Sequence, residues 1–355
     1  MTKVVAFDKA LKEADQYSKK NLILGNGFSI ACVPTIFTYK SLFEQADFSQ
    51  MPEALEVFTN LNTEDFEEVI HALESASLVL PAYKSMPNTV AKMKLHAVQI
   101  KEILIQTIAG NHPEKPSRIA NEKYSACIEF LNNFLDSSGA IYSLNYDLLL
   151  YWTLMFGLEA NMLSVEPNDG FGKNFLDNEY GVEDYVVWQG DTNQHGQNIH
   201  YLHGALHVFD SDTEVEKFTW SNTGIPLIDQ TREALSNDKF PLFVAEGHSK
   251  KKLAKIKHSA YLYHSYKSFA ERMKQGARTS CCLFTYGVSF SANDAHITQK
   301  IAKGKCSHLF VSVFGNPNST ANKKIIGAVE ELKRHRKGPE LKVTYYDAAS
   351  AKVWG

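Results

Sequence analysis

Leu22-Ile23-Leu24-Gly25-Asn26-Gly27-Phe28-Ser29 stands close to the start of the chain. A short apolar run ends in two glycines, and a small hydroxyl residue follows at the entry to a helix. Glycine permits the tight turn and lets backbone approach a ligand with no Cβ in the way. A helix N-terminus then presents unpaired N–H groups and the positive end of a dipole, which suits a phosphate. The third glycine of the G-x-G-x-x-G fingerprint is missing, so the stretch alone is also what an ordinary βα turn requires. It nevertheless predicts that the first core strand, Asn21 to Leu24, runs into the ligand end of an α/β sheet.

Short apolar runs recur at 140–144, 199–202, 241–245, 282–286, 308–314 and 341–346, several flanked by Gly, Asn or Asp. Strands alternating with helices predict an α/β fold: a Rossmann-like, mostly parallel sheet with helices on both faces. A short helix is expected at 8–19. Residues 45–135 read as an inserted helical subdomain between the first two core strands, with the core formed by 1–44 plus 136–355. Within it, Phe66, Val69, Ile70 and Leu73 share one helical face, with Thr63 as the expected N-cap. Residues 87–109 and 118–135 read as further helices. Residues 167–198, rich in Gly, Asn and Asp, read as an irregular excursion.

Composition narrows the function. The chain has 355 residues, 44% hydrophobic and 22% charged, with a net charge of −3. That balance gives no general attraction to nucleic acid. No apolar run approaches the ~20 residues of a membrane helix. The five cysteines, Cys32, Cys127, Cys281, Cys282 and Cys306, form no C-x-x-C pair and fit buried thiols in a reducing cytoplasm.

Three further segments fall at expected strand ends, where open α/β sheets bind ligands. In Ser143-Leu144-Asn145-Tyr146-Asp147, Asn145 can hold a ribose hydroxyl or a water, while Asp147 can orient Asn145 or cap the next helix. In Tyr201-Leu202-His203-Gly204, a glycine beside His203 leaves the imidazole open, and histidine serves as a base near neutrality. A zinc set of His200, His203 and His207 lacks a fourth ligand nearby. In Tyr286-Gly287-Val288-Ser289-Phe290, followed by Asn293, Asp294 and His296, a backbone nest with a hydroxyl suits a second phosphate or a ribose. Outside these segments, Ser249 to Lys257 sets lysines in the first turn of a helix, against its dipole, which invites an anion. Leu253, Ile256 and Ala260 are its expected buried face.

In order, these motifs resemble the sirtuin family: a Gly-x-Gly-x-Ser loop followed by Pro34 and Phe37, then Asn145-Tyr146-Asp147, His203-Gly204 and Gly287-Val288-Ser289. The resemblance spans roughly 20–40 and 138–355. It implies NAD as substrate, with Asn145, His203 and Asp147 catalytic and with Gly25, Asn26, Gly27, Phe28, Ser29, Gly287, Ser289 and Asp294 holding the nucleotide. The four-cysteine zinc module of deacylating sirtuins is missing, no metal is expected, and no acyl-lysine groove is recognisable. The Gly-Asn-Gly-Phe loop and Asn-Tyr-Asp motif are more similar to bacterial sirtuin-like proteins of phage-defence and abortive-infection type, which hydrolyse NAD. The resemblance therefore implies a cytoplasmic NAD-consuming hydrolase, with a homo-oligomer open. A non-catalytic NAD or ADP-ribose sensor and a zinc-free deacylase or ADP-ribosyl transferase are the alternatives.

Overall fold

The computed structural model describes residues 2–83, 87–172, 185–190, 196–211, 214–219, 224–274 and 281–355. Its strands are β1 (Val4–Val5), β2 (Lys19–Leu24), β3 (Ile141–Ser143), β4 (Phe171–Gly172), β5 (Tyr185–Trp188), β6 (Ile199–Tyr201), β7 (Val208–Asp210), β8 (Val215–Phe218), β9 (Cys281–Tyr286), β10 (His308–Val313) and β11 (Lys342–Asp347). Seven of them make one all-parallel sheet in the order β1-β11-β10-β9-β2-β3-β6. From β2 the chain winds outward through β3 to β6, returns to pair β9 with β2, and winds the other way through β10 to β11. That is the doubly wound Rossmann order, and its switch point lies between β2 and β9.

The strands form because their residues are apolar on both sides. All six residues of β9 and all six of β10 are buried. This is the signature of a parallel sheet covered on both faces. Phe284 on β9 stacks on Phe310 of β10 at 4.2 Å. The Asn121–Leu135 helix covers β2 and its neighbours through Phe130 and Phe134, whose rings meet Phe7, Tyr286 and Phe284 at 5.3–5.6 Å. This last helix of the expected 45–135 insertion thus packs as the crossover helix between β2 and β3. Pro52–Leu61, Phe66–Val79 and Pro87–Asn111 form the rest of the helical block, closed around Phe43, Phe48, Phe58 and Phe66.

Several local expectations need correction. The first helix spans only Phe7–Ala14, because Lys19 and Lys20 are drawn into β2 opposite Cys281 and Cys282. The cap of the Phe66–Val79 helix is Asp65, whose carboxylate accepts the Glu67 N–H at 2.9 Å; Thr63 instead accepts the Asp65 N–H and donates to Glu68. The run at 241–245 forms no strand of either sheet, because its backbone is bonded into the 204–208 loop: Ala205 N–H donates to the Leu242 carbonyl and Leu242 N–H to that of Val208. In the expected irregular stretch 167–198, β4 and β5 join β8 and β7 in a four-stranded antiparallel sheet. Residues 173–184 and 191–195 of that stretch lie outside the described residues.

Candidate active site

The carboxyl ends of β2 and β9 meet glycine to glycine. Gly25 N–H donates to the Tyr286 carbonyl at 2.9 Å and Gly27 N–H to that of Gly287 at 3.0 Å. A Cβ on Gly27 would stand 2.5 Å from the Gly287 Cα, and one on Gly25 would stand 2.5 Å from the Gly287 oxygen. Gly287 itself has φ +67°. Only residues without a side chain allow this approach. Above the contact opens a cleft of about 810 Å³. Gly25, Asn26, Gly27, Asn145, Asp147, His203, Gly287, Ser289 and Asp294 all line it. Four segments, each more than fifty residues of chain from the next, therefore converge at the switch point.

The expected residues divide by role. Phe28 and Ser29 face away from the cleft. The Phe28 ring packs on Trp354 at 4.9 Å, and the Trp354 indole N–H donates to the Phe28 carbonyl at 2.8 Å. Ser29 is fully buried, and its hydroxyl donates to Asp147 Oδ2 at 2.5 Å while accepting from Asn145 Nδ2 at 2.9 Å. The second Asn145 amide hydrogen goes to the Gly25 carbonyl at 3.0 Å. Both donors of the carboxamide are thus consumed, and Oδ1 is left as an unengaged acceptor among the described residues. Asp147 stands behind this arrangement. Its Oδ1 accepts the Leu149 N–H at 2.9 Å, and burial raises its carboxyl against the lowering bonds from Ser29 and Leu149. Asp147 orients Asn145 through Ser29, and Ser29 is a clasp for the cleft wall.

His203 is buried, and its Nε2 lies 3.1 Å from Nε2 of His296 and 3.8 Å from Asp294 Oδ1. Burial and the Lys252 charge hold the imidazole well below its ordinary pKa, against Asp294 and a backbone bond to Leu144. His296 is pushed down to about 4, mainly by burial, and its Nδ1 sits 3.2 Å from the Ser249 hydroxyl. The two rings hold one hydrogen between them, and Asp294 stands where an imidazolium would need a counter-charge. Donor atoms of His203, Asp294 and His296 all lie within 4.8 Å of one another, the donor types of a cation site. The Lys252 ammonium, 3.0 Å from Asp294 Oδ1, already supplies a positive charge there. With that charge in place, the trio is suited to holding a proton. Gly204 does not serve to open the imidazole. Its φ of +82° and its closeness to Leu242, whose oxygen lies 1.8 Å from an added Cβ, show that it is a close-approach glycine. His200 bonds Ser265 and Ser268 and stacks on Tyr142, while His207 packs against Tyr151 and Tyr201, so neither joins His203.

Of the remaining cleft residues, Lys252 belongs to the lysine run and Phe290 to the Tyr286–Phe290 motif, whereas Glu67 and Tyr39 had no expected part in a site. Lys252 is 1% exposed and bridges Glu67, at 2.9 and 2.8 Å, to Asp294. Burial opposes its charge, but the two carboxylates outweigh that and raise its pKa. The anion expected at this lysine run is therefore supplied by the protein itself; the helix buries Lys252 and Ile256, Leu253 is half-buried against the core as expected, and Ala260, beyond the helix end, is exposed. Burial pushes the Glu67 carboxyl up to about 7, with Lys252 opposing. Tyr39, 44% exposed, also lines the cleft, and its phenol is held above its ordinary pKa, first by burial and then by Asp65, Glu67 and Asp294. Phe290, with φ +55°, is a non-glycine residue held in the left-handed region on the cleft wall. Such strain concentrates at functional positions. The lysine at 252 carried a signal: it lies four residues before the apolar Ile256, on the face that packs inward.

The chain belongs to the family described as a domain of unknown function, DUF4917, whose pattern matches residues 22–354. Among curated proteins, none matches the chain significantly.

Proposed function

We propose that this chain hydrolyses the bond between nicotinamide and ribose in NAD, giving nicotinamide and ADP-ribose. The observation that carries this reading is the convergence of Gly25–Gly27, Asn145, His203 and Gly287–Ser289 on one cleft at the sheet switch point. Dinucleotides bind at such points in doubly wound sheets. The order of these motifs, similar to that of sirtuins, supports NAD as the dinucleotide.

Nicotinamide is a good leaving group, so the protein must hold the ribose, supply water and take a proton. Asn145 Oδ1, left open by the Gly25 and Ser29 bonds, accepts a hydrogen from the attacking water or a ribose hydroxyl. His203, kept neutral by burial, accepts the proton, and Asp294 stabilises the imidazolium. Gly25, Asn26 and Gly27 lie against the diphosphate, and Gly287 and Ser289 against the adenosine half. On the same reading the chain acts as an NAD-depleting defence effector in the reducing cytoplasm, which accords with five buried free cysteines. Among the described residues no helix is long and apolar enough to cross a membrane.

The test is nicotinamide release by the purified protein beside Asn145→Ala and His203→Ala, with thermal shifts by NAD and ADP-ribose on the same samples. Each variant is expected to lose about 10²–10⁴-fold in turnover with the fold intact. Wild-type turnover in both variants would overturn the assignment, and binding without release would favour the sensor reading.

A further inference from the structure

The helical block does more than cover one end of the sheet. Glu67, in the first turn of its Phe66–Val79 helix, reaches the cleft, where Lys252 joins it to Asp294. Both its oxygens lie on Lys252 Nζ, and that nitrogen in turn lies 3.0 Å from Asp294 Oδ1. Three carboxyl groups, Asp65, Glu67 and Asp294, face this end of the cleft against a single ammonium. The phenols of Tyr39 and Tyr146 face the same place, and both are held protonated, first by burial and then by these acids. At full ionisation the end nearest His203 therefore carries surplus negative charge, although a phosphate-binding cleft would gain from positive charge. The surplus fits a cationic group.

We propose that Glu67 is a further catalytic residue: the carboxylate that faces the reacting ribose as positive charge develops on it. The inference rests on the hydrolase reading. The pyridinium N–C1′ bond breaks with its electron pair moving to the nicotinamide nitrogen. The ribose is left as an oxocarbenium cation, and water oxygen bonds to C1′ while its proton goes to His203. A carboxylate beside the sugar stabilises such a cation, directly or through the ribose hydroxyls, as in glycoside hydrolysis. Lys252 is then a positioning residue, holding Glu67 and Asp294 on the two sides of the reacting centre. The surplus charge favours oxidised NAD, whose nicotinamide ring is cationic, over ADP-ribose, which lacks that ring.

Glu67→Gln and Glu67→Asp test this, with nicotinamide release giving kcat, and calorimetry giving the affinities for NAD and ADP-ribose. Loss of the charge in Glu67→Gln is expected to cut kcat by about 10²–10³-fold. It should also weaken NAD binding and leave ADP-ribose binding unchanged. Glu67→Asp keeps the charge and retains NAD affinity. Wild-type kcat in Glu67→Gln would overturn the proposal. So would equal losses of affinity for both nucleotides, because a mere counter-ion of Lys252 would disturb the cleft without regard to ligand charge. No release by the wild-type protein would overturn the hydrolase reading and this inference with it, and that result is read without either variant.

Discussion

Replacing Ser29 with alanine removes one oxygen that closes two bonds. The hydroxyl accepts from Asn145 Nδ2 at 2.9 Å and donates to Asp147 Oδ2 at 2.5 Å, at a position with no solvent exposure. In Ser29→Ala one amide hydrogen of Asn145 and one oxygen of Asp147 lose their partners in a dry interior. An unsatisfied neutral donor costs about 1–3 kcal/mol and a lost bond to a charged group about 1.5–3 kcal/mol, so the sum is about 2.5–6 kcal/mol. That is a large share of the ~5–15 kcal/mol that holds a typical domain folded. The loss has a pH signature. The Asp147 carboxyl is already raised by burial, and losing the Ser29 bond raises it further. A carboxyl raised in the folded state contributes stability at low pH that is lost as pH rises through its folded value. The destabilisation by Ser29→Ala should therefore be greater at pH 8 than at pH 5.5, as read from urea unfolding at both. Asn145 also loses one of its two anchors, and misplacement of a reacting group by about 1 Å costs ~10²-fold in rate. Nicotinamide release should fall accordingly. A change below about 1 kcal/mol at pH 8, with turnover kept, would refute the idea that Ser29 braces Asn145.

Two further outcomes are expected. Gly27→Ala must push apart two backbones that now sit where its Cβ would stand 2.5 Å from the Gly287 Cα; it should cost about 2 kcal/mol or more, whereas Gly110→Ala, with nothing within 4 Å of its Cβ and set in a helix, should be neutral or stabilising by urea unfolding. His112, His200, His296 and His308 are buried and held, chiefly by burial, down to about 4, 3, 4 and 4. Their stabilising contribution is present above the ordinary histidine value and is lost as pH falls towards those figures, with each costing about 2 kcal/mol at pH 5. The urea midpoint should drop steeply below pH 6, and equal midpoints at pH 7.5 and pH 5 would contradict the account.

The parallel sheet was legible because its strands are buried on both faces and read as short apolar runs ending in Gly, Asn or Asp. β2, β3, β6, β9, β10 and β11 all fall where those runs stand. β1 is two residues long, too short to carry a pattern. β4 and β5 lie among the Gly, Asn and Asp residues of 167–198, which hide strands from any period-2 reading. In the cleft, residues next to strand ends were legible, because a turn after a strand declares itself locally. Glu67 was not. An acid in a first helical turn is explained by the dipole alone, and nothing in its neighbourhood reveals a lysine 185 positions away. Ser29 was legible as a small residue at a helix entry, but its partner Asp147 is 118 positions distant, so its task as a clasp was hidden.

The glycine-to-glycine contact between β2 and β9 leaves the cleft with a floor made of main chain. A floor of that kind offers almost nothing to vary: any side chain added there collides with the opposite strand before it can meet a ligand. Differences in what such a cleft accepts must then be written on its walls, in side chains such as Tyr39, Glu67, Phe290 and Lys324. Tyr39, Glu67 and Lys324 come from segments other than the glycine turns, so those positions can change without disturbing the floor, whereas Phe290 follows Gly287 by three residues and is held at φ +55°. Efforts to change what the cleft accepts should begin with Tyr39, Glu67 and Lys324 and leave the glycines alone.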